Sequence, residues 1–491
     1  MKPVFFSLKE FDAACGEKYR MQNEVLMENA ARGMCEAILL FLKKRFKHKK
    51  PVIQIVCGSG DNGADGLALA RMIYDAASVK VIQAAEPKSA LCILQTERLR
   101  KLHILADTVI SDCDILVDAF LGTGITGRLR ENAVSVINAM NKLDAYKIAC
   151  DIPSGLNRNG QPVPVAVKAD MTLSAGALKA AFFSDAAQDF VGKIKPVSLG
   201  LPSEQYAPSE KADAWLLTKC DMQLPVRTQK NTHKGLFGHA AIFCGEKEGA
   251  AILAASACLH FGAGLVTVCG TKPALIPPDL MYHSEINAEY SAYCIGPGLG
   301  SDTEAIVEKF LTEKKRANIV FDADALNTKS LARHLSDLDG CILTPHLKEF
   351  LQLVQNLCAF ERMELHDYKT LTVGEIQEKK IELAKIFSRY FPHIVLVLKG
   401  AVTVIAHHEK IFLAAAGTPA LSKAGSGDVL SGMLTALLAQ GYTGEKAAIT
   451  ATLAHGYASR TLPSYASTAT DLIQALNMLE KRFRKKLVFF V

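Results

Sequence analysis

The chain has 491 residues, more than one hydrophobic core usually supports, so two domains are expected. Its 49% hydrophobic and 22% charged residues are those of an ordinary globular protein, and a net charge of +6 from 56 basic and 50 acidic residues argues against a nucleic-acid-binding face. Thirteen scattered cysteines without a CxxC pair, an N-terminus that meets charge too soon for a secretory signal, and no apolar run near the roughly 18 residues of a membrane span predict a reduced, soluble, cytoplasmic protein.

Residues 1–50 read as helical, with Leu26-Met27-Glu28-Asn29-Ala30-Ala31 on an amphipathic segment and a closing basic run, Lys43 to Lys50, that reads as a solvated face. Pro51 to Cys57 is a β-rich run. Gly58-Ser59-Gly60-Asp61-Asn62-Gly63-Ala64-Asp65-Gly66 then reads as a glycine-rich loop, and Leu67 to Ala76 as a helix. Strand, loop and helix in that order offer backbone N–H groups to an anion at the carboxyl edge of a sheet. The loop is neither G-x-G-x-x-G nor a Walker A sequence. The oxygens of Asp61, Asn62 and Asp65 suit a hard cation or ribose hydroxyls, and equally an Asx-rich turn. Further strands are predicted over Val79–Ala84, Ile115–Phe120 and Ile148–Gly155. Their polar ends carry Asp118 with Gly122-Thr123-Gly124, and Asp151 with Ser154. Strands alternating with helices predict a parallel sheet with these loops gathered on one edge.

The phrases MENAA, GSGDNGADGLALAR, VDAFLGTGITG and DIPSGLNRNG resemble, in this order, the YjeF-type N-terminal domain, a family of NAD(P)HX epimerases with a Rossmann-like three-layer α/β/α fold. That family interconverts the R and S forms of hydrated NADH and NADPH with a bound potassium ion. The resemblance implies that Asn62, Asp118 and Ser154 ligate the ion and that Asp151 is catalytic. It also implies that Asp61, Asn62, Gly63, Ala64 and Asp65, with Gly122, Thr123, Gly124, Ile125, Thr126, Gly127 and Arg128, face the substrate. Two positions depart from the family's usual NNGGDG loop. Asp61 replaces an Asn and adds negative charge beside an anionic substrate, and Ala64 replaces a Gly and would be poorly tolerated if that position needs positive φ. The first half is nevertheless expected to be functional.

Residues 192–232 read as a junction, with a boundary placed between domains 1–212 and 213–491. Beyond it, strands are predicted over Ala240–Cys244 and toward Val268, with a small-residue helix, Gly249–Ala257, whose alanines close packing alone explains. Ala292–Gly300, Ile319–Asn327 and Cys341–His346 each read as a strand running into a loop, and Ile394–Leu398 leads into Lys399. Asp322 and Asp324 could hold magnesium or form a strand-end turn. His346 suits substrate binding, proton transfer or a structural role, and Lys399 a phosphate contact or plain solvation. Residues 355–375 read as a polar surface link, and the tail KRFRKKLVFFV as packing. The chemistry of this half is placed in AGTPALSKAGSGDVLSGMLTALLAQG. There Gly425-Ser426-Gly427-Asp428 precede an apolar helix, Val429 to Gln440, that Gly441 ends. Glycines before a helix let N–H groups approach an anion, and Asp428 at the positive end can act as a base beside phosphate; a glycine turn with Asp428 as a plain N-cap is the alternative.

HKGLFGHAAIF, GAAILAASA, GAGLVTV, IGPGLG, DADALN, LTPHLKEF, LKGAVTVIA and AGSGDVLSGMLTALLAQG resemble, in order, the ADP-dependent NAD(P)HX dehydratases, which have a ribokinase-like α/β fold. The resemblance makes Asp428 the base that accepts the hydrate's hydroxyl proton. Lys399, Gly400, Ala401, Val402 and Thr403, with Gly425, Ser426 and Gly427, would line the adenine nucleotide, and Ala250, Gly300 and His346 the hydrate. Magnesium would accompany ADP, which bacterial members use with release of AMP, whereas eukaryotic ones use ATP. GSGD stands where GTGD is usual and keeps the hydroxyl. Together the halves imply repair of hydrated NADH and NADPH, with the hydrate and an adenine nucleotide as partners, no nucleic acid or membrane, and assembly into a homo-oligomer. The rivals are a ribokinase-like small-molecule kinase with a non-catalytic first module, and a first half that serves as a scaffold or RNA-associated module.

Overall fold

The computed structural model describes the chain except residues 47–48, 105, 126, 286–288, 314–317, 367 and 485–491. The expected substrate contact Thr126 and most of the basic-apolar tail therefore lie outside the described residues. The chain divides into two compact units, Pro3–Ala214 on one side and Trp215–Val491 with Met1–Lys2 on the other.

In the first unit seven described strands make one parallel sheet, in the order Ala106–Asp107, Ser78–Gln83, Val52–Cys57, Ile115–Ala119, Tyr146–Cys150, Met171–Ala175 and Lys193–Val197. Side chains alternate across it. Ile53, Ile55, Ile115 and Val117 enter one apolar cluster with the helices Asn23–Arg45 and Asp61–Ile73, while Val56, Ile82 and Leu116 enter a second with Ile137 and Met140 of the helix Glu131–Lys142. Both faces are covered, which is the three-layer α/β/α arrangement expected.

The helix after the first strand begins earlier than the sequence suggests. It runs over Asp61–Ile73, so Asn62 to Gly66 are helical and only Gly58 to Gly60 form the loop. Propensity argues against two glycines in a helix, but tertiary packing demands one of them: a Cβ on Gly63 would lie 2.2 Å from the Gly58 carbonyl oxygen. Ala64 is fully buried and has no positive φ, so the expected strain at that departure does not arise. Asp61 opens the helix on an exposed turn, where a carboxylate is favoured by the helix dipole.

In the second unit a parallel array, in the order Met281–His283, Leu265–Gly270, His239–Cys244, Ala292–Ile295, Ile319–Phe321, Ile342–Leu343 and Val395–Leu398, continues into antiparallel Thr403–His407 and Lys410–Ala414. Within the expected junction, Trp215 lies on a short strand and pairs with Phe412. The alanine-rich helices Glu248–His260, Ser426–Ala439 and Gly444–Ser459 share one core with the strands. The polar link expected over 355–375 is absorbed only at its ends: the helix Leu347–Ala359 enters it, because Leu353, Val354 and Leu357 bury one face, and Val373–Glu378 leaves it.

Candidate active sites

All strands of the first sheet are parallel, so the residues that follow Cys57, Ala119 and Cys150 collect on one edge. Three of the expected ligands meet there around the Leu121 peptide. Asn62 Nδ2 donates to the Leu121 carbonyl at 2.9 Å, and the Leu121 N–H donates to Ser154 Oγ at 2.7 Å. Ser154 gives Asp118 two bonds, from its hydroxyl at 2.5 Å and its N–H at 2.7 Å, and the Phe120 N–H adds a third at 3.2 Å. Two features suit a cation. The Oδ1 of Asn62 is buried without a hydrogen-bond partner, and Asp118 is fully buried with only neutral donors, so burial pushes its carboxyl up to about 6. The oxygen-only donor set fits a hard monovalent ion. The flanking loop is more open: Thr123, Gly124, Gly127 and Arg128 are exposed, and Gly122 and Ile125 half-buried.

Asp151 stands beside this cradle in a left-handed backbone conformation, φ 65°, uncommon outside glycine and a mark of functional constraint. Its Oδ1 accepts from Lys179 Nζ at 2.5 Å and the Ala175 N–H at 3.1 Å, and Lys179 also donates to Ser174 Oγ at 3.1 Å. Asp65, one helical turn beyond Asn62, is pushed well above the carboxylate range, by burial first and then by the charges of Asp151 and Asp61. Asp12, which accepts from Tyr206 OH at 2.7 Å, is raised by burial as well. The cluster therefore sets a carboxyl whose acid form burial favours near an ion-paired carboxylate, the pairing that acid–base chemistry uses.

In the second unit Gly425, at φ 88°, caps the helix Ser426–Ala439, and Asp428 lies in its first turn. Burial, then the charge of Asp322, pushes Asp428 up to about 6, with Lys399 pulling it down. The Ser426 hydroxyl is committed to the Leu421 carbonyl at 2.7 Å, so Ser426 has only its backbone to offer a phosphate. The Ser426 carbonyl receives the Nε2–H of His455 at 2.9 Å, and burial pushes that histidine down to about 4, so it stays neutral.

Lys399 does not stand free as a phosphate contact. Its ammonium bonds Asp322 Oδ1 at 2.8 Å and lies 3.9 Å from Glu349 Oε2, while Ser431 Oγ donates to Asp322 Oδ2 at 2.6 Å. Both oxygens of Asp322 thus have partners within the protein. Asp324 accepts the Gly300 N–H at 3.0 Å. His346 is not arranged for proton transfer either. Its Nδ1 caps the helix Leu347–Ala359 by accepting from Lys348 and Glu349 N–H at 3.1 and 3.2 Å, and burial lowers its pKa, which leaves a half-exposed ring face. Ala250 packs against the Gly298 turn, beside Gly300. Gly400 and Ala401 turn between strands at the surface, with Thr403 half-buried. Val402 is fully buried and gives its carbonyl to Lys380 at 2.7 Å, so only its backbone could meet a nucleotide. Among the described residues no group of three or more His, Cys, Asp or Glu forms a metal-binding cluster.

Lys179, Glu349, Ser431 and His455 escape a reading by motif. Their signal is a polar residue in an apolar stretch, as in ALKAAFF and ATLAHGYAS, which implies a buried partner without naming it.

A family model described as "YjeF-related protein N-terminus" matches residues 23–181, and one described as "NAD(P)H-hydrate dehydratase" matches residues 240–481. The "Bifunctional NAD(P)H-hydrate repair enzyme Nnr" of Helicobacter pylori is 36% identical over 98% of this chain and 100% of its own length, and that of Moorella thermoacetica 31% over 95% and 94%. A solved ADP/ATP-dependent NAD(P)H-hydrate dehydratase from Bacillus subtilis, co-crystallised with ATP and Mg2+, is 26% identical over 52% of this chain and 94% of its own, at a TM-score of 0.42. No described helix is long and apolar enough to cross a membrane. With two family models in their expected order and full-length identity above 30%, this chain belongs to the family of bifunctional NAD(P)H-hydrate repair enzymes.

Proposed function

We propose that the chain restores hydrated NADH and NADPH in two steps, one per unit. The first epimerises the R and S hydrates, and the second dehydrates the S form at the expense of ADP, with AMP and phosphate as products. The observation that carries the second step is Asp428 on the first turn of a glycine-capped helix, half-buried and poised near neutrality. Hydroxide is a poor leaving group from the hydrated ring. Asp428 takes the hydroxyl proton as that oxygen attacks the terminal phosphoryl group, while backbone N–H groups of Gly425 to Gly427 face the transferred charge. Phosphate then departs with the C–O electron pair as the neighbouring carbon loses a proton, and the dihydropyridine returns. The turn Gly400 to Thr403 lines the nucleotide, whose phosphates carry magnesium. Ala250, Gly300 and the ring face of His346 line the hydrate.

In the first unit Asn62, Asp118 and Ser154 would hold potassium, supported by the unpartnered Asn62 oxygen. When bound, the ion supplies a fixed positive charge at the sheet edge. Asp151, oriented by Lys179, moves the hydroxyl proton as a bond at that carbon breaks, by ring opening or by exchange of the hydroxyl, and re-forms on the opposite face, and Asp61 to Asp65 with Gly122 to Arg128 border the substrate.

The test is one assay on mixed R and S hydrates with ADP and magnesium, read as the return of reduced-nicotinamide absorbance. Conversion of both epimers is expected. Conversion that stops when the S form is exhausted would remove epimerisation from the reading, and accumulation of a stable phosphate ester would turn the second unit into a kinase.

A further inference from the structure

Asp428 is packed against an ion pair that the phosphate-transfer chemistry does not obviously need. Asp322 follows the strand Ile319–Phe321, Lys399 follows Val395–Leu398, and Ser431 lies on the helix that carries Asp428, three residues further on and so on the same face. Lys399 Nζ to Asp322 at 2.8 Å and Asp322 to Ser431 at 2.6 Å join two strand ends to the first two turns of that helix. The first turn of the helix lies against the pair: a Cβ on Gly427 would meet Lys399 Nζ at 3.5 Å and Asp322 Oδ2 at 3.9 Å, ordinary van der Waals contact. Glu349, from a third element, adds a second carboxylate 3.9 Å from the ammonium.

We infer that Lys399 is a positioning residue for the base Asp428 and not a ligand of the nucleotide phosphates: clamped by Asp322 and Glu349, it fixes the first turn of the Ser426–Ala439 helix and supplies the positive charge that keeps Asp428 ionised. This rests on the reading of Asp428 as the base. The charge count shows why a cation is needed. Asp322 and Asp324 face Asp428 from one strand end, and Glu349 lies behind them on the helix Leu347–Ala359. His455, from the helix Gly444–Ser459, is neutral, as is His346 beside Lys399. Lys399 is the one cation among the groups acting on Asp428, and its charge opposes those of Asp322 and Asp324. Without it three carboxylates would share a poorly solvated corner, and the base would hold its proton at neutral pH. The ammonium is also already neutralised, since a phosphate would have to share its charge with Asp322 at 2.8 Å and Glu349 at 3.9 Å.

The experiment is the pH dependence of S-hydrate dehydration, with the nucleotide KM measured at each pH, for the full-length wild type, Lys399→Met, and Lys399→Met with Asp322→Asn. Removing a positive charge raises the pKa of a nearby acid. The acidic limb of kcat should therefore move up by about 1 unit or more in Lys399→Met, about a tenfold loss at the foot of the limb, with nucleotide KM changed less than about threefold. In the double variant an attractive and a repulsive charge leave together, and the limb should return toward the wild-type position. An unmoved limb with nucleotide KM raised about tenfold in both variants would overturn the inference and make Lys399 a phosphate ligand. Should Lys399→Met fail to fold, the double variant decides: a near-wild-type nucleotide KM supports the inference, and a tenfold rise sinks it. Asp428→Asn separates the two claims. Retained activity with an unchanged profile would remove Asp428 as the base, whereas an inactive Asp428→Asn beside an unmoved limb in Lys399→Met defeats the positioning role alone.

Discussion

Each unit builds a lysine–aspartate pair at the carboxyl edge of its sheet, and the pairs differ in what is left over. Asp322 has a side chain 2% exposed, with one oxygen on Lys399 and the other on Ser431. Asp151 is 19% exposed, and its bonds converge on a single oxygen, so Oδ2 has no hydrogen bond among the described residues. Asp322 sits in extended backbone, φ −139°, Asp151 in a strained left-handed turn. A saturated, relaxed carboxylate acts as a strut, and one with an oxygen to spare, held in strain, is placed for chemistry. The same kind of ion pair is closed on both oxygens in one unit and leaves one oxygen open in the other.

The sharpest separation of the two units comes from Asp428→Asn. It should lower dehydration of the S hydrate by about 10³-fold or more, within the range of a lost general base, and leave interconversion of R and S intact. Equal loss of both activities, followed by separating the epimers over time, would show that the units do not work independently.

Stability probes the strut directly. Asp322→Ala leaves Lys399 and Ser431 without their shared partner and should cost about 3–5 kcal/mol in urea denaturation of the second unit, whereas Asp151→Gly, which takes up the left-handed backbone freely and so offsets part of the lost Lys179 pair, should cost the first unit less. Comparable losses would erase the distinction drawn between the pairs.

His455 adds a pH dependence to the second unit alone. Its pKa is depressed in the folded state, from 6.5 to about 4, so the folded chain resists taking up a proton that the unfolded chain accepts. Its contribution is complete above pH 6.5 and is lost as pH falls toward 4, by up to about 3 kcal/mol. His455→Gln, which keeps a donor for the Ser426 carbonyl, should flatten that slope; an unchanged slope would assign the pH dependence to other groups.

Removing both members of each pair is a finer discriminator. Lys399→Met with Asp322→Asn should recover dehydration relative to Lys399→Met alone. Lys179→Met with Asp151→Asn should stay about 10²-fold down in epimerisation, as the proposed reaction at the aspartate itself requires. Recovery in both cases would make Asp151 a strut as well.

The smallest effect concerns the ion. Potassium added to ion-free protein should raise the melting temperature of the first unit by a few degrees relative to lithium, and Asn62→Ala should abolish the difference. A rise that survives Asn62→Ala would place the ion elsewhere.

The sequence by itself determined the two-unit α/β organisation, the family, and the position along the chain of Asn62, Asp118, Asp151, Ser154 and Asp428. These properties follow from local signals: apolar runs that become strands, polar and glycine-bearing strand ends, and an apolar helix behind GSGD. Tertiary structure decided what depends on who is buried against whom. It drew Asn62 to Gly66 into a helix through the close approach of Gly63 to Gly58. It made His346 a helix cap and paired Lys399 with Asp322 and Glu349. Partners such as Lys179 for Asp151, Ser431 for Asp322 and His455 for Ser426 are 28, 109 and 29 residues apart in the chain. No local pattern encodes such pairings. They arise because a parallel sheet brings successive strand ends to one edge, where a buried charge must find a partner from whichever element packs beside it.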